Sequence, residues 1–390
     1  MIDYNSVLSR TVVELKKSGI RKFFDLLNDP NMKDVVGLTV GQPDFVTPWH
    51  IREAGIESLQ KGKTYYTGNA GTDELREEIC NYLSRRFSLS YKPAETIVTV
   101  GGSEAIDLAI RAVVEQGDEV IIPTPSFVCY EPIVRMMGGV PVILKTKIEN
   151  NFKITPEELK AAISPRTKML VLPYPNNPTG AILTREELEA LAPLLRDTNI
   201  VILSDEIYAE MTYGREHCSV ATVDGMWERT ILASGFSKSY AMTGWRLGYL
   251  AAPKPLIEQM LKIHQYAIMC APTTSQLAAV EALKNGDEDI RMMVGEYDRR
   301  RCYILEGLRS IGIDCFEPEG AFYIFPDIRK FGLSSDEFCN RLLYEHKCAI
   351  VPGPAFGEGG EGFARISYAY SIKHITEALR RIEQFVNTLK

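Results

Sequence analysis

From Thr96 to about Pro253 the chain alternates short apolar runs, rich in β-branched residues, with stretches whose apolar residues recur at helical spacing. TIVTV is followed by SEAIDLAIRAVV, EVIIP by FVCYEPIVRMM, and then come VPVIL, KMLVLP, REELEALAPLL, NIVILSD and TILASG. Such alternation predicts the α/β class, with a mostly parallel central sheet and helices on both of its faces. KMLVLP and VILSD are apolar throughout, as strands covered on both sides are. Ligands of such sheets bind at the carboxyl ends of the strands. After about Gly286 the rhythm changes to a long helical stretch, DEDIRMMVGEYDRRRCYILEGLRS, then AFYIFPDI, CAIVPG and FARISYA, and a last helix KHITEALRRIEQFVNTL. That reads as a smaller α+β unit joined by the N-terminal segment. The expected division is a large domain over 49–285 and a discontinuous small domain made of 1–48 and 286–390.

Composition narrows the function classes. The 390 residues exceed the roughly 250–300 at which single cores stop growing, which favours two domains. Hydrophobic residues make up 45% and charged residues 24%, ordinary values for a folded globular protein. A net charge of −7 and a pI near 5.5 argue against a nucleic-acid binder, which needs a basic stripe to displace counterions. The eight cysteines form no CxxC pair, and they read as reduced packing residues of a cytoplasmic protein. MIDYNSVLSRTVVELKKSGIRKF has no apolar core or cleavage site of a secretory signal. No apolar run approaches the roughly 18 residues of a membrane span.

The candidate chemistry centres on GFSKSYAMTGWRLGY, residues 235–249, which follows a predicted strand. A lysine just past a strand end can sit in a partly desolvated pocket, which lowers its pKa and makes it a usable nucleophile. Arg246 with Ser237 could grip a phosphate through charge-assisted hydrogen bonds. Alone, Lys238 would read as a solvated surface lysine. TVGGSEAIDLAI is a strand running into a helix start, where the N–H groups of Gly102, Ser103 and Glu104 would face an anion; a plain turn with Ser103 as N-cap is the blander reading. Asp205 ends an apolar strand, where a carboxylate is costly without a cationic partner, unless it merely caps the next helix. Arg365, in the predicted strand FARISYAY, suits bidentate recognition of a carboxylate.

The lysine segment resembles the signature of class I aminotransferases, pyridoxal-phosphate (PLP) enzymes of fold type I. GQPDF (41–45), YYTGNAGTDELR (65–76), TVGGSEA (99–105), PYPNNPTG (173–180), SDEIY (204–208) and ARIS (364–367) each resemble a family motif, in the family's order. The resemblance spans essentially the whole chain. It implies that Lys238 tethers PLP and moves the substrate's proton. The phosphate falls to Gly102, Ser103, the backbone of Glu104, Ser237 and Arg246. Asp205 takes the pyridine nitrogen, Tyr208 and Asn177 the phenolic oxygen, and Phe127 the ring face. Gly41 and Arg365, with Asn177, meet the substrate, with Arg365 on the α-carboxylate. Tyr66 matches the tyrosine that crosses to a neighbouring subunit's phosphate, so the resemblance implies a homodimer with shared sites. The family often has serine where this chain has Gly235, which shifts the hydroxyl role to Ser237. SGIRKF, GQPDF, SKSYAMTGWR and GAFYIFP resemble the Iγ subgroup and, within it, the N-acetyl-LL-diaminopimelate aminotransferases. Iγ enzymes acting on aspartate, aromatic amino acids or alanine share the same motifs. Arg21 is a candidate for side-chain recognition, with a solvated basic turn as its plainer reading.

Other motifs carry less. GEGGEG (357–362) precedes a strand instead of opening a helix, so it is no dinucleotide loop. GKT (62–64) lacks the earlier glycine of a P-loop, GGSEA lacks the second glycine of a nucleophile elbow, and the five histidines lack metal-ligand spacing. The expected activity is amino transfer between an L-amino acid and a 2-oxo acid, with no metal, nucleic acid or membrane involved. A PLP-dependent C–S β-lyase keeps the fold and changes the reaction. A non-catalytic PLP-sensing module is the third reading, disfavoured by the joint presence of Lys238, Asp205 and Arg365.

Overall fold

The computed structural model describes residues 2–17, 19, 32 and 34–389. A short strand, β1 (Val36–Gly37), precedes seven strands of one sheet: β2 (Thr96–Thr99), β3 (Glu119–Thr124), β4 (Val140–Lys145), β5 (Thr167–Leu172), β6 (Val201–Asp205), β7 (Thr230–Gly235) and β8 (Gly248–Ala251). Their order is β2-β8-β7-β6-β5-β3-β4. All neighbours pair in parallel except at β8, which is antiparallel to both β2 and β7. The mostly parallel sheet expected from the alternation is therefore present. β8, whose four residues GYLA carry no periodic signal, is the strand the pattern did not mark.

Period-two alternation sends successive side chains to opposite faces, and here both faces are covered. Ile97, Val120, Met169, Val171, Leu203 and Ile231 pack on one side with residues of the helices Gly101–Val113 and Lys254–Ala267. Ile121, Leu170, Leu172 and Ile202 pack on the other with Leu159, Leu188 and Leu191 of the helices Pro156–Ala162 and Arg185–Leu191. Towards β8 that second face meets the helices Asp73–Phe87 and Thr273–Asn285. Each such aliphatic side chain contributes roughly 1.5–3 kcal/mol by leaving water. The helical run REELEALAPLL breaks into Arg185–Leu191 and Pro193–Arg196, because Pro193 has no N–H to continue the first helix.

Past Gly286 the helix Asp287–Ile311 begins with Asp287, Glu288 and Asp289, which suit the positive end of its dipole, and stops at Gly312 with φ 87°. With the helices Ser335–His346 and Ile372–Thr388 it encloses a separate core that includes Tyr297, Leu308, Phe322, Ile350, Ile366 and Phe385. Leu38 belongs to the same core, and β1 pairs in parallel with Cys348–Ala349. In this core Tyr323–Ile324 and Val351–Pro352 flank Ala364–Ser367, both antiparallel to it.

The sheet topology sets where the site lies. β2, β3, β5, β6 and β7 run the same way, so their carboxyl ends share one edge, and the reversed β8 brings its amino end to that edge.

Candidate active site

The carboxyl edge opens onto a cavity of about 370 Å³, within the range of small-molecule sites. β2 feeds the helix Gly101–Val113, and Gly102 and Ser103 of its first turn line the cavity. First-turn N–H groups have no partner within their helix and so are available to an anion. Gly101 makes this arrangement sterically possible. Its φ is +78°, and a Cβ there would lie 2.7 Å from Arg246 Nη2. Arg246 lines the cavity and donates through Nη1 to Thr243 O at 2.9 Å, while Ser237 approaches from the β7 side. The N-cap is Val100, without a side-chain cap bond, and not Ser103. Glu104 keeps its side chain out of the cavity lining: Oε2 accepts from Val100 N at 2.5 Å and Oε1 lies 2.7 Å from Nδ1 of fully buried His264. It ties the turn to the helix Lys254–Ala267.

β6 ends at buried Asp205. Loss of water raises its carboxyl above the usual range, opposed by the Tyr130 hydroxyl, which donates to Oδ2 at 2.6 Å, and by Ile207 N, which donates to Oδ1 at 3.2 Å. β7 passes through Gly235 into the short helix Phe236–Ser239 that carries Lys238. Gly235 sits opposite Gly248 of β8, and a Cβ on it would lie 2.8 Å from Gly248 Cα. The absence of serine at this position therefore has a packing reason. Lys238 Nζ donates to Gly41 O at 2.6 Å. Burial, then the charges of Arg365 and Arg246, push its amine down to about 8.

Arg365 lies on the strand Ala364–Ser367 and is 2% exposed. Nη1 donates to Asn177 Oδ1 at 3.0 Å and Nη2 to Thr39 O at 2.5 Å, while Nε has no partner. Its guanidinium carbon stands 4.6 Å from the Tyr323 ring centre and 4.7 Å from that of Phe356. It forms no ion pair among the described residues, and burial pulls its pKa below the usual arginine value. Tyr208 and Phe127 line the same cavity, with Phe127 edge-on to Tyr130 at 6.3 Å. Gly41 does more than present backbone to the cavity: a Cβ there would lie 2.4 Å from the Tyr323 hydroxyl.

Of the described residues marked from sequence, the structure thus gathers all around one cavity except Tyr66, which is 77% exposed and does not line this chain's cavity, and Glu104, which was marked for its backbone alone and turns its side chain away. Arg21 lies outside the described residues. All eight cysteines are free, and no group of three or more His, Cys, Asp or Glu among the described residues is placed to hold a metal ion. Nor is any described helix long and apolar enough to cross a membrane. Tyr130 and Tyr323 escaped the sequence reading. Tyr130 opens the helix Tyr130–Met136, and its nearness to Phe127 in PSFVCY was the available signal. Tyr323 lies within GAFYIFP, but its partner strand and register are not written in the sequence.

A buried lysine of lowered pKa, a buried carboxylate and a helix start share one cavity at the carboxyl edge of an α/β sheet, an arrangement compatible with a PLP-dependent enzyme of fold type I. The family model for aminotransferase class I and II matches residues 33–382. A Bacillus subtilis protein named "Putative aminotransferase YugH", without a stated substrate, is 52% identical over 98% of this chain and 99% of its own. A Bacillus subtilis protein named as a probable N-acetyl-LL-diaminopimelate aminotransferase is 45% identical over 96% of this chain and 94% of its own. Among solved structures, the aspartate aminotransferase from Thermus thermophilus with maleate superposes with a TM-score of 0.93 at 40% identity, covering 97% of this chain and 99% of that one. The chain belongs to the class I and II aminotransferases. It is a PLP-dependent aminotransferase.

Proposed function

We propose that Lys238 is the PLP tether and proton carrier, and that Arg365 fixes the α-carboxylate of an L-amino acid that exchanges its amino group with a 2-oxo acid. The observation that carries this reading is Arg365 itself, an enclosed cation with an unpartnered Nε in the same cavity as a lysine whose amine is held at about 8. A buried charge without a counter-charge is costly, and a substrate carboxylate removes that cost.

The residues present fit the cofactor. The N–H groups of Gly102 and Ser103, with Ser237 and Arg246, would hold its phosphate, and Asp205 its ring-nitrogen proton. Asn177 accepts from Arg365 through Oδ1, which leaves its amide NH₂ to donate to the phenolic oxygen beside Tyr208, with Phe127 against the ring face. PLP, when bound, supplies an electron sink for the charge left at the substrate's α-carbon. Lys238 Nζ would take the proton from the substrate's α-carbon as base and deliver it, as acid, to the cofactor's C4′ carbon, and the reverse in the second half. Its lowered pKa keeps part of the amine neutral near pH 8, as a base must be. Arg365 holds the carboxylate fixed during both transfers, and the first product leaves before the second substrate enters the same seat, in a ping-pong order.

The same reading takes 49–285 as the large cofactor-binding domain and 1–48 with 286–390 as the small one, supported by the core that Leu38 shares with the C-terminal helices, which also takes in Tyr208, Met211, Tyr213 and Ala241 where the two would meet. It pairs two chains so that exposed Tyr66 reaches the neighbouring subunit's phosphate site, and it places the enzyme in the cytoplasm. The amino donor comes from the types that relatives' names carry: N-acetyl-LL-diaminopimelate, aspartate or an aromatic amino acid, with alanine as a further member of the set. The test adds each to purified holoenzyme and follows conversion of the cofactor to its amino form by absorbance. No conversion with any of them would count against transamination. Pyruvate and ammonia from cystathionine without added oxo acid would point to the C–S β-lyase.

A further inference from the structure

The strand Tyr323–Ile324 pairs antiparallel with Ala364–Ser367, Tyr323 opposite Ser367. Arg365 is two residues from Ser367, hence on the same face and diagonal to Tyr323, within reach of an aromatic ring. The contact is made at 4.6 Å. The Tyr323 hydroxyl lies 2.8 Å from the Tyr208 hydroxyl, its one hydrogen-bond partner among the described residues. On the other side it crowds Gly41 so closely that no Cβ fits. Gly41 in turn carries the carbonyl that holds Lys238 Nζ. One fully buried tyrosine thus meets Tyr208, assigned to the cofactor, and Arg365, assigned to the substrate, and borders Gly41, whose carbonyl holds the lysine.

A phenol has a single proton to donate. If Tyr208 gives its proton to the cofactor's phenolic oxygen, the Tyr208–Tyr323 bond has only one remaining direction. We propose that Tyr323 is a positioning residue: its hydroxyl donates to Tyr208 Oη, committing the Tyr208 proton to the cofactor's phenolic oxygen, while its ring seats the Arg365 guanidinium for the substrate carboxylate. This rests on the cofactor site proposed above. A donor feeding a donor polarises the second bond, by on the order of 10–30% per link, and a donor to an anionic oxygen stabilises the charged form. Tyr323 therefore helps hold the phenolic oxygen ionised without touching it.

The test follows the pH at which the visible absorption of the bound cofactor changes in holoenzyme. Tyr208→Phe removes the direct donor and raises that midpoint. Tyr323→Phe keeps the ring and raises it in the same direction by on the order of 10–30% of the Tyr208→Phe shift, with KM for the amino acid near wild type. Tyr323→Leu also removes the seat of Arg365 and raises KM. In a Tyr208→Phe background, Tyr323→Phe adds nothing. An unmoved midpoint in Tyr323→Phe, or a shift that persists without the Tyr208 hydroxyl, overturns the relay. An unmoved midpoint in Tyr208→Phe overturns the cofactor site itself and the relay with it.

Discussion

Two arginines of the C-terminal unit are buried to almost the same degree, Arg300 at 6% exposure and Arg365 at 2%, and both face aromatic rings. Arg300 lies 5.3 Å from the Phe45 ring centre and 5.6 Å from that of Tyr297, much as Arg365 lies between Tyr323 and Phe356. Their counter-charges differ. Arg300 donates to Asp44 Oδ1 at 2.8 Å and Glu296 Oε1 at 2.9 Å, and these bonds raise its pKa in spite of burial. Arg365 meets only a carbonyl and an amide oxygen, and burial lowers its pKa. A guanidinium paired within the chain binds the fold together; one denied a carboxylate keeps its affinity for a ligand. Residue type and burial do not separate the two, and only the surroundings do.

The harshest test asks whether the cavity that Arg365 faces is where the reaction happens. Lys238→Ala should abolish the covalent visible absorption of bound PLP and lower turnover by at least about 10³-fold, since tether and proton carrier are lost together. A variant that keeps wild-type turnover would leave Arg365 facing the wrong cavity.

Next comes the contrast itself. Arg365→Met should lower kcat/KM by about 10²–10³-fold, the loss of two charge-assisted bonds to a carboxylate, yet leave urea stability unchanged or higher, because an uncompensated buried charge has been removed. Arg300→Met takes the cation from Asp44, while Glu296 keeps Arg299, and should cost about 1–2 kcal/mol of stability, less than a fully enclosed pair would because both carboxylates are partly wet. Equal stability losses in the two variants would erase the distinction.

That distinction also marks where sequence reading stops. The sheet was legible because runs such as NIVILSD are apolar at every position, and the lysine segment because Lys238, Ser237 and Arg246 lie within one short stretch that a strand end must carry together. Arg365 was found by its motif, but nothing in FARISYAY says that it lacks a carboxylate. That depends on Asn177 and Thr39, far away in the chain. Tyr323 was hidden for the same reason, since strand register joins it to Arg365 and a crossing contact joins it to Tyr208. Glu104 sits at a helix start that looks built for an anion, yet its carboxylate is taken by Val100 N and His264, which no local pattern reveals.

Lys238 allows the same question to be put through pH. Its amine falls from an ordinary 10.5 to about 8 on folding, so between those values the unfolded chain binds the extra proton. Stability of the cofactor-free protein should then rise with pH across that window. Comparing it with Lys238→Met by urea unfolding at pH 7.5 and 10 isolates this group, and the wild type should gain on the order of 1–2 kcal/mol relative to the variant. No relative gain would mean that the amine is well solvated, and that Arg365 does not share a dry cavity with it.

Asp205 extends the comparison to a buried anion. Like Arg365 it forms no ion pair among the described residues, and neutral donors, Tyr130 and Ile207 N, oppose the pull of burial, which on balance raises its carboxyl. Tyr130→Phe deletes one of those donors without opening a large hole. The carboxyl pKa should rise further, because a lost hydrogen bond to the charged form favours the neutral one. A neutral carboxyl no longer attracts the proton of the cofactor's ring nitrogen, so PLP should bind about tenfold more weakly, the worth of one hydrogen bond to a charged group. The sign with pH separates charge from packing. A carboxylate is present above its pKa and lost as pH falls through it, so the affinity gap between Tyr130→Phe and wild type should widen as pH is lowered. A gap constant with pH would make Tyr130 a packing residue, and would leave Asp205 without the internal support that Arg365 lacks.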